Sequence, residues 1–252
     1  MPGFYKRVKK IIDDSDIILE VLDARFPELC RNKALEQYAA KKGKPIILVL
    51  NKADLLSSKK LRLKFEYPAV LLSAKKRHGL KKLRALLGIT KSKLKLKNPK
   101  IGVIGYPNTG KSSLINALAG RKAARTSIKA GFTRGEQWIR IAKDMLLIDA
   151  PGVMPIRKED EFLYVLTCSK NPYELEDPEL NAIKLIQLFK EKSPEALQAY
   201  CKFPIKSLSP EQILEQLEIK RKKLLKGEKP DLETMAKILL HDYFSAKLNL
   251  KI

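Results

Sequence analysis

The chain alternates between short apolar runs and longer segments whose apolar residues recur at helical spacing. A short apolar run bounded by polar residues is typical of a buried strand, and helical spacing is typical of an amphipathic helix. The alternation predicts an α/β domain built on an open sheet. The predicted strands are Asp16–Leu22, Pro45–Leu50, Ala69–Leu72, Lys100–Gly105, Glu136–Ile141 and Asp144–Ile148, and the predicted helices are Phe4–Ile12, Arg31–Lys42, Leu80–Leu87 and Ser113–Ala119.

The pattern changes near Pro155. Beyond that residue the apolar positions keep helical spacing, which predicts an all-helical second domain. We therefore expect one domain over residues 1–155 and a second over residues 156–252. The predicted helices of the second domain are Asp160–Thr167, Pro178–Lys190, Pro194–Tyr200, Pro210–Leu225 and Leu232–Leu248.

Residues 105–113, here called the phosphate loop, read Gly-Tyr-Pro-Asn-Thr-Gly-Lys-Ser-Ser and have the form G-x-x-x-x-G-K-[ST]. They connect a predicted strand to a predicted helix, so successive backbone N–H groups and the positive end of the helix point at one spot. The lysine of such a loop reaches the β- and γ-phosphates, and the next hydroxyl ligates Mg²⁺. We expect Ser112 to bind Mg²⁺. The predicted phosphate-binding residues are Asn108, Thr109, Gly110, Lys111, Ser112 and Ser113.

A second motif, Asn51-Lys52-Ala53-Asp54, directly follows the strand that ends at Leu50. A carboxylate at Asp54 can accept hydrogen bonds from N1–H and from the exocyclic amine of guanine, a donor pair that adenine lacks. The Lys52 stem can pack across the base, and Asn51 can tie the loop to its neighbours. We call residues 51–54 the guanine loop. Residues Ser73, Ala74 and Lys75 follow the next strand and match a weaker loop whose backbone touches the guanine carbonyl.

The segment between the phosphate loop and the second domain carries the candidate catalytic switch. Thr133 lies in a glycine-flanked loop, where a threonine can close over Mg²⁺ and the γ-phosphate. Asp149 begins an Asp-Ala-Pro-Gly sequence; it would hold a Mg²⁺-bound water, and the Gly152 N–H could sense the γ-phosphate. Lys111, Asn108, Thr133 and Gly152 are thus the predicted catalytic residues.

The guanine loop precedes the phosphate loop, which reverses the usual GTPase order. A sheet requires its strands to be adjacent in space and not in sequence, so joining the old termini and opening the chain elsewhere preserves the site. The basic segment Gly88–Pro99 would be the join. The order therefore predicts a circularly permuted P-loop GTPase fold.

With its motifs in this order, the chain resembles the circularly permuted GTPases of the YlqF/YawG type, which are implicated in large ribosomal subunit assembly. The resemblance implies GTP as substrate, Mg²⁺ as cofactor and a helical domain that contacts RNA. The segments that carry it are residues 23–25 (DAR), 31–32 (RN), 51–54 (NKAD), 73–75 (SAK), 105–113 (GYPNTGKSS), 131–135 (GFTRG), 149–152 (DAPG) and 231–250.

Val153 stands where the best-known small GTPases place a water-orienting glutamine. Valine cannot form a hydrogen bond through its side chain, so we expect slow intrinsic hydrolysis. Asn108 matches the loop asparagine that coordinates K⁺ in some GTPases with a hydrophobic residue at that place. The hypothesis is that K⁺ neutralises charge between the β- and γ-phosphates; the alternative is that Asn108 is only a turn residue.

Asp23-Ala24-Arg25 follows the first strand at its carboxyl end, where open α/β sheets form their ligand crevice. A contribution to the ligand site and a loop stabilised by its own ion pair are equally compatible with these residues.

The net charge of +23 is concentrated in the first domain. Residues 1–155 carry 34 basic and 12 acidic side chains, whereas residues 156–252 carry 17 and 16. The densest segment, Lys75–Lys100, has eleven basic residues and no acid. Such charge binds phosphate backbones without sequence specificity, and we expect ribosomal RNA or a large-subunit precursor as partner. A lysine-rich face that only aids solubility is the alternative.

No run of about 18 apolar residues occurs, and Met1–Lys10 is basic without a following apolar signal region. We therefore expect a cytoplasmic monomer without a membrane partner. Two functions fit the sequence: a GTP-hydrolysing ribosome-assembly factor, or a non-catalytic GTP-sensing RNA-binding module in which Val153 leaves hydrolysis negligible.

Overall fold

The computed structural model describes residues 2–56, 64–120, 138–149, 161–222 and 231–249. Contacts between Cα atoms divide the chain into two compact units, one of residues 1–54 and 58–157 and the other of residues 55–57 and 158–252. The first unit is α/β and the second contains helices, which confirms the predicted fold class.

The first unit is built on a six-stranded sheet in the order β3-β2-β1-β4-β6-β5. All neighbouring strands are parallel except β5, which runs antiparallel to β6. The strands are β1 (Ile17–Asp23), β2 (Ile46–Asn51), β3 (Ala69–Leu71), β4 (Lys100–Ile104), β5 (Trp138–Ala142) and β6 (Met145–Asp149). The helices are α1 (Pro2–Asp14), α2 (Pro27–Cys30), α3 (Lys33–Lys41), α4 (Leu80–Lys93) and α5 (Lys111–Ala119).

The central strands β1 and β2 are buried along their whole length, as their apolar sequences require in a parallel sheet. Glu20 and Asp23 are the polar residues of β1, and both are fully buried. Glu20 lies in the middle of the strand. Its Oε1 accepts a hydrogen bond of 2.8 Å from the backbone N–H of Asn32. Burial, together with the nearby charge of Glu36, raises the pKa of Glu20. The carboxyl group is therefore held towards its neutral form.

Helix α4 runs to Lys93, so the prediction that a connector begins at Gly88 was wrong for its first six residues. Past Gly88, the Thr90 hydroxyl donates a 2.9 Å hydrogen bond to the carbonyl oxygen of Leu86, and Lys91 forms an ion pair with Asp144. Arg84 also donates hydrogen bonds to the carbonyl oxygens of Leu118 (2.5 Å) and Ile141 (3.4 Å). The short remainder, residues 94–99, leads into β4.

The second unit is organised around the long helix α7, against which the other helices pack. Phe189 and Tyr243 are buried and meet edge to face, with ring centroids 6.1 Å apart. The Tyr243 hydroxyl donates a 3.0 Å hydrogen bond to the carbonyl oxygen of Leu166. The helices are α6 (Glu161–Leu166), α7 (Pro178–Lys192), α8 (Pro194–Cys201), α9 (Pro210–Lys222) and α10 (Leu232–Phe244). No helix in the described ranges is both long and apolar enough to cross a membrane.

Candidate nucleotide-binding site

The phosphate loop leaves β4 at Ile104 and enters α5 at Lys111. Gly105 and Gly110 adopt φ of +142° and +94°, which favour glycine. A Cβ atom at Gly105 would lie 2.4 Å from the carbonyl oxygen of Val21, and one at Gly110 would lie 2.3 Å from Nδ2 of Asn51. The two glycines therefore let this loop approach the strands beside it.

Lys111 is only 7% exposed, because its side chain folds into the curve of its own loop. Its Nζ donates hydrogen bonds to the carbonyl oxygens of Gly105 (3.0 Å) and Tyr106 (2.7 Å). The buried Thr109 hydroxyl donates to the same Tyr106 oxygen at 2.9 Å. These bonds hold the loop in a compact curve around the lysine ammonium.

Asn51 joins three segments that are distant in the sequence. Its Nδ2 donates a 2.9 Å hydrogen bond to the carbonyl oxygen of Thr109 in the phosphate loop. Its Oδ1 accepts a 3.0 Å hydrogen bond from the backbone N–H of Ala74, in the loop after β3. Asn51 is 3% exposed, so both bonds are shielded from water. The guanine loop is therefore fixed against the phosphate loop and against residues 73–75.

Asp54 is held from a different side. The Ser73 hydroxyl donates a 2.5 Å hydrogen bond to Oδ1 of Asp54 and accepts one of 3.0 Å from the backbone N–H of Lys76. Asp54 itself is exposed, whereas Ser73 is buried. The Asp54 carboxylate is therefore exposed to solvent while the buried Ser73 fixes its position.

The strand ends explain why these side chains meet. Asp23 at the end of β1 pairs with Asn51 at the end of β2, and Val103 near the end of β4 pairs with Asp149 at the end of β6. Because β1 lies between β2 and β4, the carboxyl ends of all four strands form one edge of the sheet. In open α/β sheets this edge is where ligands bind.

Comparisons with known proteins bear on the fold. A family model described as 50S ribosome-binding GTPase matches residues 100–197. A GDP-bound structure of TM YlqF matches with a TM-score of 0.66 at 22% identity, covering 96% of each chain. A GNP-bound YlqF from T. maritima matches with a TM-score of 0.63 at 21% identity, covering 99% of this chain and 97% of that one. The chain shares the fold of YlqF.

Curated relatives carry names of the same kind. An uncharacterized GTP-binding protein of Methanocaldococcus jannaschii, MJ1464, is 40% identical over 97% of this chain and 65% of its own length. Nuclear/nucleolar GTPase 2 of Arabidopsis thaliana is 35% identical over 93% of this chain and 42% of its own length. Nucleolar GTP-binding protein 2 of Pneumocystis carinii is 32% identical over 97% of this chain and 52% of its own length. The chain thus spans between about two fifths and two thirds of the length of these relatives.

The described residues cover most of the predicted site. Ser112 and Ser113 lie in the first turn of α5, and Lys75 is exposed beside Ala74. Asn108 has φ of +57° and is half-buried. Thr133, Gly152 and Val153 lie outside the described residues, as does the side chain of Asp149.

Residues 23–25 contain the internal ion pair that was one of the two alternatives for this segment. Asp23 is fully buried and forms the internal ion pair with Arg25, Oδ2 to Nη2 at 2.8 Å. The same oxygen lies 2.8 Å from Nζ of Lys52 in the guanine loop. The sequence contained no direct sign of this second contact. Knowing that β1 and β2 are neighbours would have indicated the contact, because Asp23 ends β1 and Lys52 directly follows β2.

We expect Asn51→Ala to lower the free energy of unfolding by about 1–3 kcal/mol, because the Thr109 carbonyl and the Ala74 N–H would each lose a buried partner. Chemical denaturation of the full chain measures this. Asn98→Ala is the matched control, since Asn98 is exposed, and its effect should stay within about 0.5 kcal/mol. Equal stability of the two variants would contradict the bridging role of Asn51.

Proposed function

We propose that this chain binds GTP, hydrolyses it slowly with K⁺ stimulation, and uses the nucleotide state to control its binding to ribosomal RNA of large-subunit precursors. The observation that carries the proposal is the pair of hydrogen bonds made by Asn51, since they hold a base-reading loop and a phosphate-binding loop at one edge of the sheet. The names of the relatives support the same class of protein.

In this proposal Asp54 reads the base. Its carboxylate accepts the N1–H and the exocyclic amine of guanine, and the hydrogen bond from Ser73 sets its position. Adenine offers an acceptor at N1 instead of a donor, so ATP would leave the carboxylate unpaired.

Lys111 and the backbone of the phosphate loop bind the phosphates. The ammonium exchanges its bonds to the loop carbonyls for bonds to β- and γ-phosphate oxygens. Ser112 and Asp149 are suited to hold Mg²⁺, because hard oxygen ligands are what this ion prefers. The pairing of Val103 with Asp149 brings the backbone of that acid beside the strand that enters the loop. Bound Mg²⁺ neutralises charge on the β- and γ-phosphates.

Slow hydrolysis follows from Val153, which cannot orient the attacking water. Asn108 supplies a side-chain oxygen from a left-handed position inside the phosphate loop, which suits a K⁺ ligand. Thr133 and Gly152 complete the catalytic set as the groups that close over the γ-phosphate.

The RNA surface is the basic face of α4 and the segment after it. The lysines at 81, 82, 93, 95 and 97 are all exposed, so their charges face solvent. Ribosomal RNA fits this face because binding a phosphate backbone releases counterions. A non-catalytic GTP-sensing RNA-binding module is the second candidate, favoured by Val153 alone.

GDP should compete with a fluorescent guanine nucleotide at least about a hundredfold better than ADP, since a site built around polar groups rejects a ligand that leaves them unpaired. Asp54→Ala should lose about a hundredfold in GDP affinity, because two hydrogen bonds to a charged group are removed. Asp13→Ala, which removes an exposed carboxylate elsewhere, should change nothing. Equal competition by ADP would refute guanine binding.

Phosphate release from GTP should be about tenfold faster in KCl than in NaCl at matched ionic strength, equivalent to about 1.4 kcal/mol of transition-state stabilisation. Asn108→Ala should abolish the difference. Equal rates in both salts would refute the K⁺ site. Negligible release in both salts, with and without large subunits, would favour the non-catalytic module.

Co-sedimentation with large-subunit precursors should differ between a non-hydrolysable GTP analogue and GDP. In the tighter-binding state, Lys81→Glu with Lys82→Glu should weaken binding and reduce the slope of log affinity against log salt by about 2. Lys33→Glu with Lys41→Glu makes the same change in charge on the exposed side of α3 and is the control. Equal effects of the two pairs would exclude α4 as the RNA surface.

A further inference from the structure

Asp23 occupies the position at the sheet edge where the two halves of the site meet. It is the last residue of β1 and pairs in register with Asn51, the first residue of the guanine loop. Because β1 lies between β2 and β4, Asp23 sits between the strand that leads to the guanine loop and the strand that leads to the phosphate loop.

The Asp23 carboxylate is saturated with charged and polar donors. Oδ2 lies 2.8 Å from Nζ of Lys52 and 2.8 Å from Nη2 of Arg25. Oδ1 accepts hydrogen bonds of 3.0 Å from both the backbone N–H and Nε of Arg25. Although burial favours the neutral acid, the charges of Lys52 and Arg25 hold the pKa of Asp23 below its usual range. The Asp23 carboxylate is therefore ionised in the folded protein.

Lys52, one of the two cations that pair with Asp23, has an unusual backbone conformation. Its φ of +64° lies in the left-handed region, which residues with a side chain adopt only when their surroundings enforce it. Its side chain is 21% exposed, and its ammonium is fixed to the fully buried Asp23. The methylene stem therefore runs between two fixed points, the constrained backbone and the carboxylate.

We infer that Asp23 is a positioning residue for the purine ring: by holding the Lys52 ammonium, it keeps the methylene stem as a preformed apolar floor for the base. This inference rests on the proposed function, in which the guanine loop binds guanine. Long charged side chains cover apolar surfaces with their stems while the charged end is bound elsewhere. A stem that is already ordered loses less conformational freedom when the ligand binds, so affinity is higher.

The Lys52 stem and the Asp54 carboxylate contact the base separately, since different residues hold them in place. Asp54 is held by Ser73 and not by Asp23, so recognition of the 2-amino group of guanine does not depend on the floor. Inosine diphosphate has the same ring system without that amine. Loss of the floor should therefore weaken GDP and inosine diphosphate by the same factor, and the ratio of their affinities should stay constant.

The experiment is a double-mutant cycle on the full chain, with dissociation constants for GDP and inosine diphosphate as the readout. Asp23→Asn and Lys52→Ala should each weaken both nucleotides by about tenfold, a change typical of losing one ordered contact. The double variant should be no weaker than the worse single variant, because both changes remove the same floor. Asp13→Asn is the matched control, since Asp13 also pairs with a lysine, Lys42 at 3.2 Å, but on the surface. It should change neither constant.

Independent effects that multiply to about a hundredfold in the double variant would overturn the inference. A changed ratio between GDP and inosine diphosphate in Asp23→Asn would overturn it too, since that would mean that Asp54 had moved. If Asp23→Asn does not fold because the charge of Arg25 is left buried, the same cycle in an Arg25→Met background decides the question. Wild-type chain that binds GDP no better than ADP would refute the proposed function, and this inference with it.

Discussion

The site depends on two hydrogen bonds made by one buried amide, that of Asn51. One reaches the carbonyl oxygen of Thr109 and the other the backbone N–H of Ala74, so three loops from different strands are held at fixed separations. A buried amide that lost either partner would carry the cost of an unpaired polar group. The spacing of these three loops therefore depends on satisfying one side chain.

The adjacency of the strands explains why the order of the motifs along the chain can change. The sheet fixes which strand ends are neighbours, and the order in which the chain visits them leaves those contacts unchanged. The predicted join lies in α4 and the residues after it, where Arg84 ties the helix to α5 and to β5. The connection is thus part of the packed structure, and its exposed side carries the lysines that we assign to RNA.

Elements with a strong local signal could be predicted from the sequence. The apolar run of β1 was placed within one residue, and α7 begins where Pro178 follows the capping residue Asp177. The motif at residues 51–54 also predicted that Asn51 ties its loop to neighbouring loops, as its bonds to Thr109 and Ala74 do. Other contacts between distant residues could not be predicted. The bond from Asp23 to Lys52 and the burial of Glu20 depend on which strands are neighbours. Helix α4 continues past Gly88, a residue of poor helix propensity that the sequence prediction took as the end of the helix.

A crystal structure of the chain with GDP tests the central claim most directly, because it locates both ends of one ligand. The account predicts that the guanine N1 and 2-amino groups lie about 3 Å from the carboxylate of Asp54 while a phosphate of the same molecule contacts Nζ of Lys111. A nucleotide whose phosphates rest on the phosphate loop while its base lies away from Asp54 would contradict it.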